Sequence, residues 1–307
     1  MKTASQTELN AQMAFPPLPY LEGKKANDTL HLYLQIVGKI RLALFPKVNH
    51  WWHVTLYVSS RGLTTRPIPY GDSNFEIEFD FIDHTLVITT SEGKRKDFSL
   101  VDGLSVSKFY KNLFTHLTEL GIDVKIKAVP YKTISTTPFA EDEEHATYDK
   151  EYIGRFFNAF VRINNVFEEF RGRFIGKSTP VQLFWHSFDL AHTRFSGKEA
   201  PKREGANRSD REAYSHEVIS VGFWCGDQNV QAPAFYSYTA PAPSGLTETP
   251  LRPESASWKN GMAVLMYDDV RVATSPRAVL LDFLESAYLA GATKAGWDIE
   301  AFKLKPV

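Results

Sequence analysis

Apolar residues along the 307-residue chain follow two different rhythms. Leu30, Tyr33, Val37, Ile40 and Leu44 recur at three- and four-residue steps, the signature of one helix face. Asp28 stands where an N-cap belongs and Pro46 where a helix must stop. The same period returns in Val106, Phe109, Tyr110, Leu113, Phe114, Leu117 and Leu120, with Ser105 or Ser107 as cap and Gly121 as terminator. It is longest in Tyr152, Phe156, Phe160, Ile163, Phe167, Phe170 and Phe174, which predicts a buried helix over 149–174 lying across a sheet. A last helix is capped by Ser275, opened by Pro276, and buries Val279, Leu280, Phe283, Leu284, Ala287 and Tyr288 before Gly291.

Between these helices the period drops to two. Residues 75–81 alternate Phe, Ile and Phe with Glu76, Glu78 and Asp80, which reads as a half-buried strand whose carboxylates face Lys and Arg neighbours. Strands are also expected at 53–59, 86–90, 124–129, 181–188, 217–224 and 234–239. This mixture predicts an α+β fold, largely antiparallel, with helices packed on one face of the sheet. Residues 1–27 read as an N-terminal arm, because Pro16, Pro17 and Pro19 punctuate it, and 28–307 as one α+β domain.

Within that domain, residues 28–130 and 145–300 are candidate repeat halves of α-βββ-α type. Val54, Leu56, Tyr57, Ser60 and Leu63 align with Val181, Leu183, Phe184, Ser187 and Leu190. A Thr-Arg pair follows in each half, Thr65-Arg66 and Thr193-Arg194, with a one-residue slip. If the halves are related, a pocket between them would draw on Arg66 and Arg194.

Composition narrows the function classes. The chain is 43% hydrophobic and 13% aromatic, enough for a sizeable core. A net charge of −1, from 35 basic and 36 acidic residues, leaves no electrostatic footprint for nucleic acid or an anionic membrane. The apolar runs are too short to span a bilayer and no signal-peptide core is visible, so a cytoplasmic setting is expected. Cys225 is the single cysteine, which excludes an internal disulfide and a cysteine metal site. Nothing in the composition fixes the oligomeric state.

Chemistry concentrates between residues 173 and 224, where charged side chains interleave with aromatic ones. Burying a charge is costly unless it is paired, so this stretch is either a binding pocket or a buried ion-pair network. In the pocket reading, Arg194, Arg211 or Arg66 would hold an anionic group bidentately. Asp189, Tyr214, Trp224 and Tyr236 would line the walls, with Ser220 and Gly222 leaving a slot. His216 with Glu217 or Glu212 would move protons, as candidate catalytic residues. The expected ligand is a small anionic or hydroxylated molecule. In the alternative reading, the protein is a non-catalytic interaction domain, and Arg211 with Glu212 and Asp189 with Arg194 are fixed ion pairs. A metal site has only weak candidates, His145 and Asp149, four residues apart; neither a metal nor a cofactor is otherwise indicated. Ser215 and His216 are strand neighbours facing opposite ways, so they make a poor nucleophile and base pair. Gly176-Lys177-Ser178 lacks the first glycine of a phosphate loop, with Arg171 in its place.

Several long segments resemble a known family. HVTLYVSSRGLTTRPIPY, FEIEFDFIDHTLVITTSEG, VFEEFRGRFIGKSTPVQLFWHSFDLAHTRFSG, REAYSHEVISVGFW and PAFYSYTAPAP are similar to a mainly bacterial domain-of-unknown-function family, number 5996. The resemblance covers about residues 28–300 and implies one full-length domain with no assigned activity. Asp83, His84, Asp142, His145, Tyr148, Asp189, Arg194, Arg211, Glu212, His216 and Glu217 match the family pattern. Where this chain has His186, His192 and Cys225, the pattern has a glycine, a small apolar residue and a proline, which lowers the weight of these three as ligands or nucleophile.

Overall fold

The computed structural model describes residues 15–131 and 134–305; residues 1–14 of the expected arm lie outside them. The architecture is α+β, with two six-stranded, antiparallel sheets among the described residues. The first half opens with helix α1 (Tyr20–Leu44). Six strands follow: β1 (Tyr57–Val58), β2 (Gly62–Thr64), β3 (Ile68–Tyr70), β4 (Ser73–Asp80), β5 (Thr85–Thr90) and β6 (Arg95–Ser99). Helix α2 (Val106–Glu119) closes this half, capped by Ser105, whose hydroxyl accepts from the Lys108 amide.

The second half opens with α3 (Lys150–Gly172), then β7 (Gln182–Phe184), β8 (Asp189–Glu199) and a short helix α4 (Arg208–Ala213). Strands β9 (His216–Trp224), β10 (Ala234–Ala240), β11 (Ser257–Lys259) and β12 (Met262–Met266) complete its sheet. Helices α5 (Tyr267–Arg271) and α6 (Pro276–Lys294) end it. The strand orders are β1-β2-β4-β5-β6, with β3 also paired to β4, and β7-β8-β9-β10-β12-β11. The sheets meet at one antiparallel bridge between Leu56 and Leu183, the two residues aligned between the halves by sequence.

Helix α3 is the element both halves pack on. It touches α1, α6, β1 and β8, and Phe156, Phe160 and Phe167 are fully buried, with Phe170 at 1% exposure. Asp149 is its N-cap, accepting from the Tyr152 amide. Helix α1 begins at Tyr20 rather than at the expected Asp28, because Pro19 supplies the extended residue before the first turn. Its middle, Leu30 to Ile40, is buried on all sides, so a single apolar stripe understated its role. The strand expected at 124–129 is absent: that segment is extended without ladder partners. No helix among the described residues is long and apolar enough to cross a membrane.

Two of the buried histidines, on α1 and β8, are held by backbone carbonyls of other elements. His31 on α1 donates from Nε2 to the Trp185 carbonyl at 2.8 Å. His192 on β8 donates from Nδ1 to the Thr179 carbonyl at 3.0 Å. Burial pushes His31 down to about 4 and His192 to about 3, from an ordinary 6.5. The unfolded chain therefore binds more protons than the folded one across this interval. The stability these histidines supply is complete above pH 6.5 and is lost as pH falls toward their folded values. Replacing His192 by Asn, which keeps an N–H for Thr179, is expected to flatten the acid-side decline by up to one proton's slope. Urea denaturation of parent and variant from about pH 7 to about pH 4 measures this; identical slopes would contradict it.

Candidate functional site

Strand parity gives the second sheet two faces of different character. Successive side chains point to opposite sides of a strand. On β8, Leu190, His192 and Arg194 are buried against the helices, whereas Asp189, Ala191, Thr193 and Phe195 face a cleft. The register sets Ala191, Gly222 and Tyr236 in one cross-strand row and Thr193, Ser220 and Tyr238 in the next. Over this floor lie residues 50–54 of the first half, Lys39 and Leu42 of α1, the turn 184–187, and Ser209, Asp210 and Ala213 of α4. The cleft encloses about 430 Å³, a size typical of small-molecule sites. A larger but shallower depression on the outer face of α2, beside Tyr110, Phe114 and Thr118, contains none of the expected site residues.

The floor is built around a carboxylate. A Cβ on Gly222 would fall 2.3 Å from Cζ of Tyr236, so only glycine lets that ring lie across β9. In this position the Tyr236 hydroxyl donates to Oδ2 of Asp189, and the Ser187 hydroxyl donates to Oδ1. Asp189 is thereby oriented, with lone pairs left on both oxygens. Beside it, the Tyr214 and Tyr238 hydroxyls stand 3.0 Å apart, and those of Thr193 and Ser220 2.9 Å. Burial pushes the Tyr236 and Tyr238 hydroxyls well above the ordinary value, so both remain neutral hydrogen-bonding groups.

The roof depends on strained backbone. His50 and Trp51 both occupy the left-handed region, at φ 55° and 64°, as does Phe188 in the turn before Asp189, at 56°. Such conformations cost of order 1–3 kcal/mol each for ordinary residues and persist only where packing enforces them. His50 is held among the rings of Trp52, Phe195 and His216, and Trp51 stacks on His53. Trp185 anchors the end of the loop, its indole donating to the Val54 carbonyl at 2.7 Å and its ring lying where a Cβ on Gly38 would be, 2.2 Å away. At the rim, Lys177 Nζ lies 2.8 Å from His50 Nε2. Lysine only donates, so Nε2 accepts and Nδ1 carries the proton, donating to the Glu212 carbonyl at 3.0 Å. Burial, then the Lys177 charge, lowers the His50 pKa.

The expected site residues divide. Asp189, Tyr214 and Tyr236 line the cleft. Trp224 stands in register opposite Asp189, with its ring 5.7 Å from Tyr236. His216 sits at the rim, its ring 5.5 Å from His50 and its Nδ1 3.0 Å from the Ser215 hydroxyl. Glu217 points the other way and accepts from Ser196 and from the Trp297 indole. Glu212 pairs with Lys47 at 2.8 Å and Arg208 at 3.3 Å, and Arg211 is exposed on α4.

Arg66 is exposed and stacks on Tyr57, 3.6 Å from the ring centroid. Arg194 is buried on the helix side, its guanidinium 3.5 Å from the Phe170 ring and 4.3 Å from Tyr288, with one N–H donated to the Phe170 carbonyl. Its nearest acidic influence, Glu285, is paired with Arg173 instead, and burial holds Arg194 down at about 10. Asp189 and Arg194 are thus on opposite faces and form no pair. His145 precedes α3 and holds Asp142 at 2.9 Å, away from Asp149. Among the described residues no three His, Cys, Asp or Glu side chains converge as metal ligands.

Sequence reasoning passed over Lys39, Trp51 and Trp52, all of which line the cleft. The adjacent pair Trp51-Trp52 in an otherwise polar loop was the available signal, since large apolar side chains in a loop must find cover.

A family model matches residues 15–304, from the lead-in to α1 to the segment after α6. The chain belongs to the family of unknown function DUF5996. No curated protein and no solved structure matches it. The cleft of this DUF5996 chain therefore has to be read from its own geometry.

Two substitutions separate the faces. Gly222→Ala is expected to cost about 1–3 kcal/mol, as overpacking does, and to break the hydrogen bond from Tyr236 to Asp189. Chemical denaturation gives the first effect, and a lowered tyrosine pKa by ultraviolet titration the second, since donation to Asp189 helps hold that hydroxyl up. Arg194→Ala removes a large packed side chain from the helix face and is expected to cost about 2–4 kcal/mol. A loss below about 1 kcal/mol in denaturant would contradict the packing role assigned to Arg194.

Proposed function

We propose that the protein binds a small molecule, ring-shaped and bearing hydroxyl or amine donors, in the cleft between residues 50–54 and the β8–β10 floor. The observation that carries this reading is the oriented Asp189 carboxylate on an aromatic floor, with Tyr214, Tyr236 and Tyr238 beside it and tryptophans above. Aromatic faces favour a flat apolar surface. The carboxylate and paired hydroxyls favour donor groups at its edge. A wholly structural role fits the opposite face better, where Arg194 and Glu217 are consumed by packing and hydrogen bonds.

The test is a thermal-shift screen of a metabolite panel on the parent, Asp189→Asn and Ser220→Trp. A ligand at 100 times its Kd adds about 2.7 kcal/mol, or a rise of roughly 4–10 °C in Tm at this chain length. Asp189→Asn should weaken the shift of the same compound, and Ser220→Trp, which fills the floor, should abolish it. A panel without a hit, or a shift that survives Ser220→Trp, would remove the proposal.

A further inference from the structure

Among the described residues Lys39 has no partner of opposite charge. It sits in α1 among residues buried on every side, and only 9% of it is exposed. Its ammonium lies 5.8 Å from the centroid of the Trp185 ring and lines the cleft. Among the described residues it makes no hydrogen bond and no ion pair. The charged group that influences it is another cation, Lys127. Its stem is buried, but Nζ is not among the fully buried polar atoms, so the ammonium is open to the cleft with the Trp185 ring as its neighbour. The other buried cations are answered differently: Arg41 and Arg194 each donate to a backbone carbonyl, of Thr65 and Phe170. Among the buried lysines and arginines of the described residues, only Lys39 directs its charge toward the cleft.

A second donor in the same cleft is also unused. The Trp51 indole nitrogen is buried and without a partner among the described residues. Two unanswered N–H donors in one cavity call for an acceptor-rich group in whatever occupies it. Neither is an acceptor, so a hydroxyl or amine donor is served by Asp189 and not by them.

We infer that Lys39 is the specificity-determining residue of the cleft and recognises an anionic oxygen group, a carboxylate or a phosphate, on the bound ring. This rests on the small-molecule reading above and adds the charge of the ligand. The occupant is then a small aromatic or cyclic acid, anchored by its anion at Lys39, with donor groups turned toward Asp189.

Three probes test this by saturation-transfer NMR and calorimetry: 4-hydroxyphenylacetate, phenyl phosphate, and the neutral 4-hydroxyphenylacetamide. The parent should bind at least one anionic probe roughly tenfold or more tightly than the amide, the usual value of a charged hydrogen bond. Lys39→Gln should erase that preference while leaving amide binding in place. Lys39→Arg, which keeps the charge, should retain most of it and guards against a folding defect. Which anionic probe is favoured separates a carboxylate from a phosphate. Equal binding of anions and amide by the parent, or a preference that survives Lys39→Gln, would overturn the role of Lys39 and leave the cleft reading intact. If no probe binds the parent and Ser220→Trp leaves the spectra of the mixtures unchanged, both fall together.

Discussion

Trp185 ties the molecule together. Its indole N–H holds the Val54 carbonyl, its own carbonyl is held by His31 on α1, and its ring fits against Gly38. Two residues earlier in the chain, Leu183 exchanges both backbone hydrogen bonds with Leu56, at 2.8 and 3.0 Å. One side chain therefore joins α1, the tryptophan-bearing loop and the turn that presents Asp189. A tryptophan suits this place because it buries a large area and still has one polar group to satisfy.

Cations in this structure are settled on aromatic rings more than on carboxylates in the interior. Arg194 lies against Phe170, and Arg41 against Phe45 at 3.9 Å. The ion pairs are mostly at the surface, such as Arg173 with Glu169 and Arg252 with Asp282, where each contributes little. Stacking by itself does not offset the several kcal/mol needed to desolvate a guanidinium. Buried stems and the hydrogen bonds to backbone carbonyls make up the difference. Such arginines are part of the packing, and their positive charge is not available to a ligand.

What the sequence reveals follows from which rule governs each position. The Phe stripe of α3 was legible because a long helix has one period and one buried face. The aromatic floor was partly legible: alternation places Tyr236 and Tyr238 together, and Ser220 with Gly222. The same alternation separates Asp189 from Arg194, five residues apart on one strand, yet both were read into one pocket because charge and aromatic content outweighed parity. Lys39 was illegible. A lysine in a helix is ordinarily solvated, and the packing that buries this one comes from Trp185, far along the chain. Helix α1 began early and the 124–129 segment made no strand for a similar reason: caps and ladder partners are tertiary facts.

The bond between Trp185 and Val54 spans 131 residues, which gives the cleft a history as well as a shape. A ribosome adding about 5–20 residues each second releases Val54 roughly 7–26 seconds before Trp185. Throughout that interval the first half carries two adjacent indoles with no lid. Emergence of β8 then sets Phe195 against Trp52, and the cleft is complete only when β9 and β10 supply Ser220, Tyr236 and Tyr238.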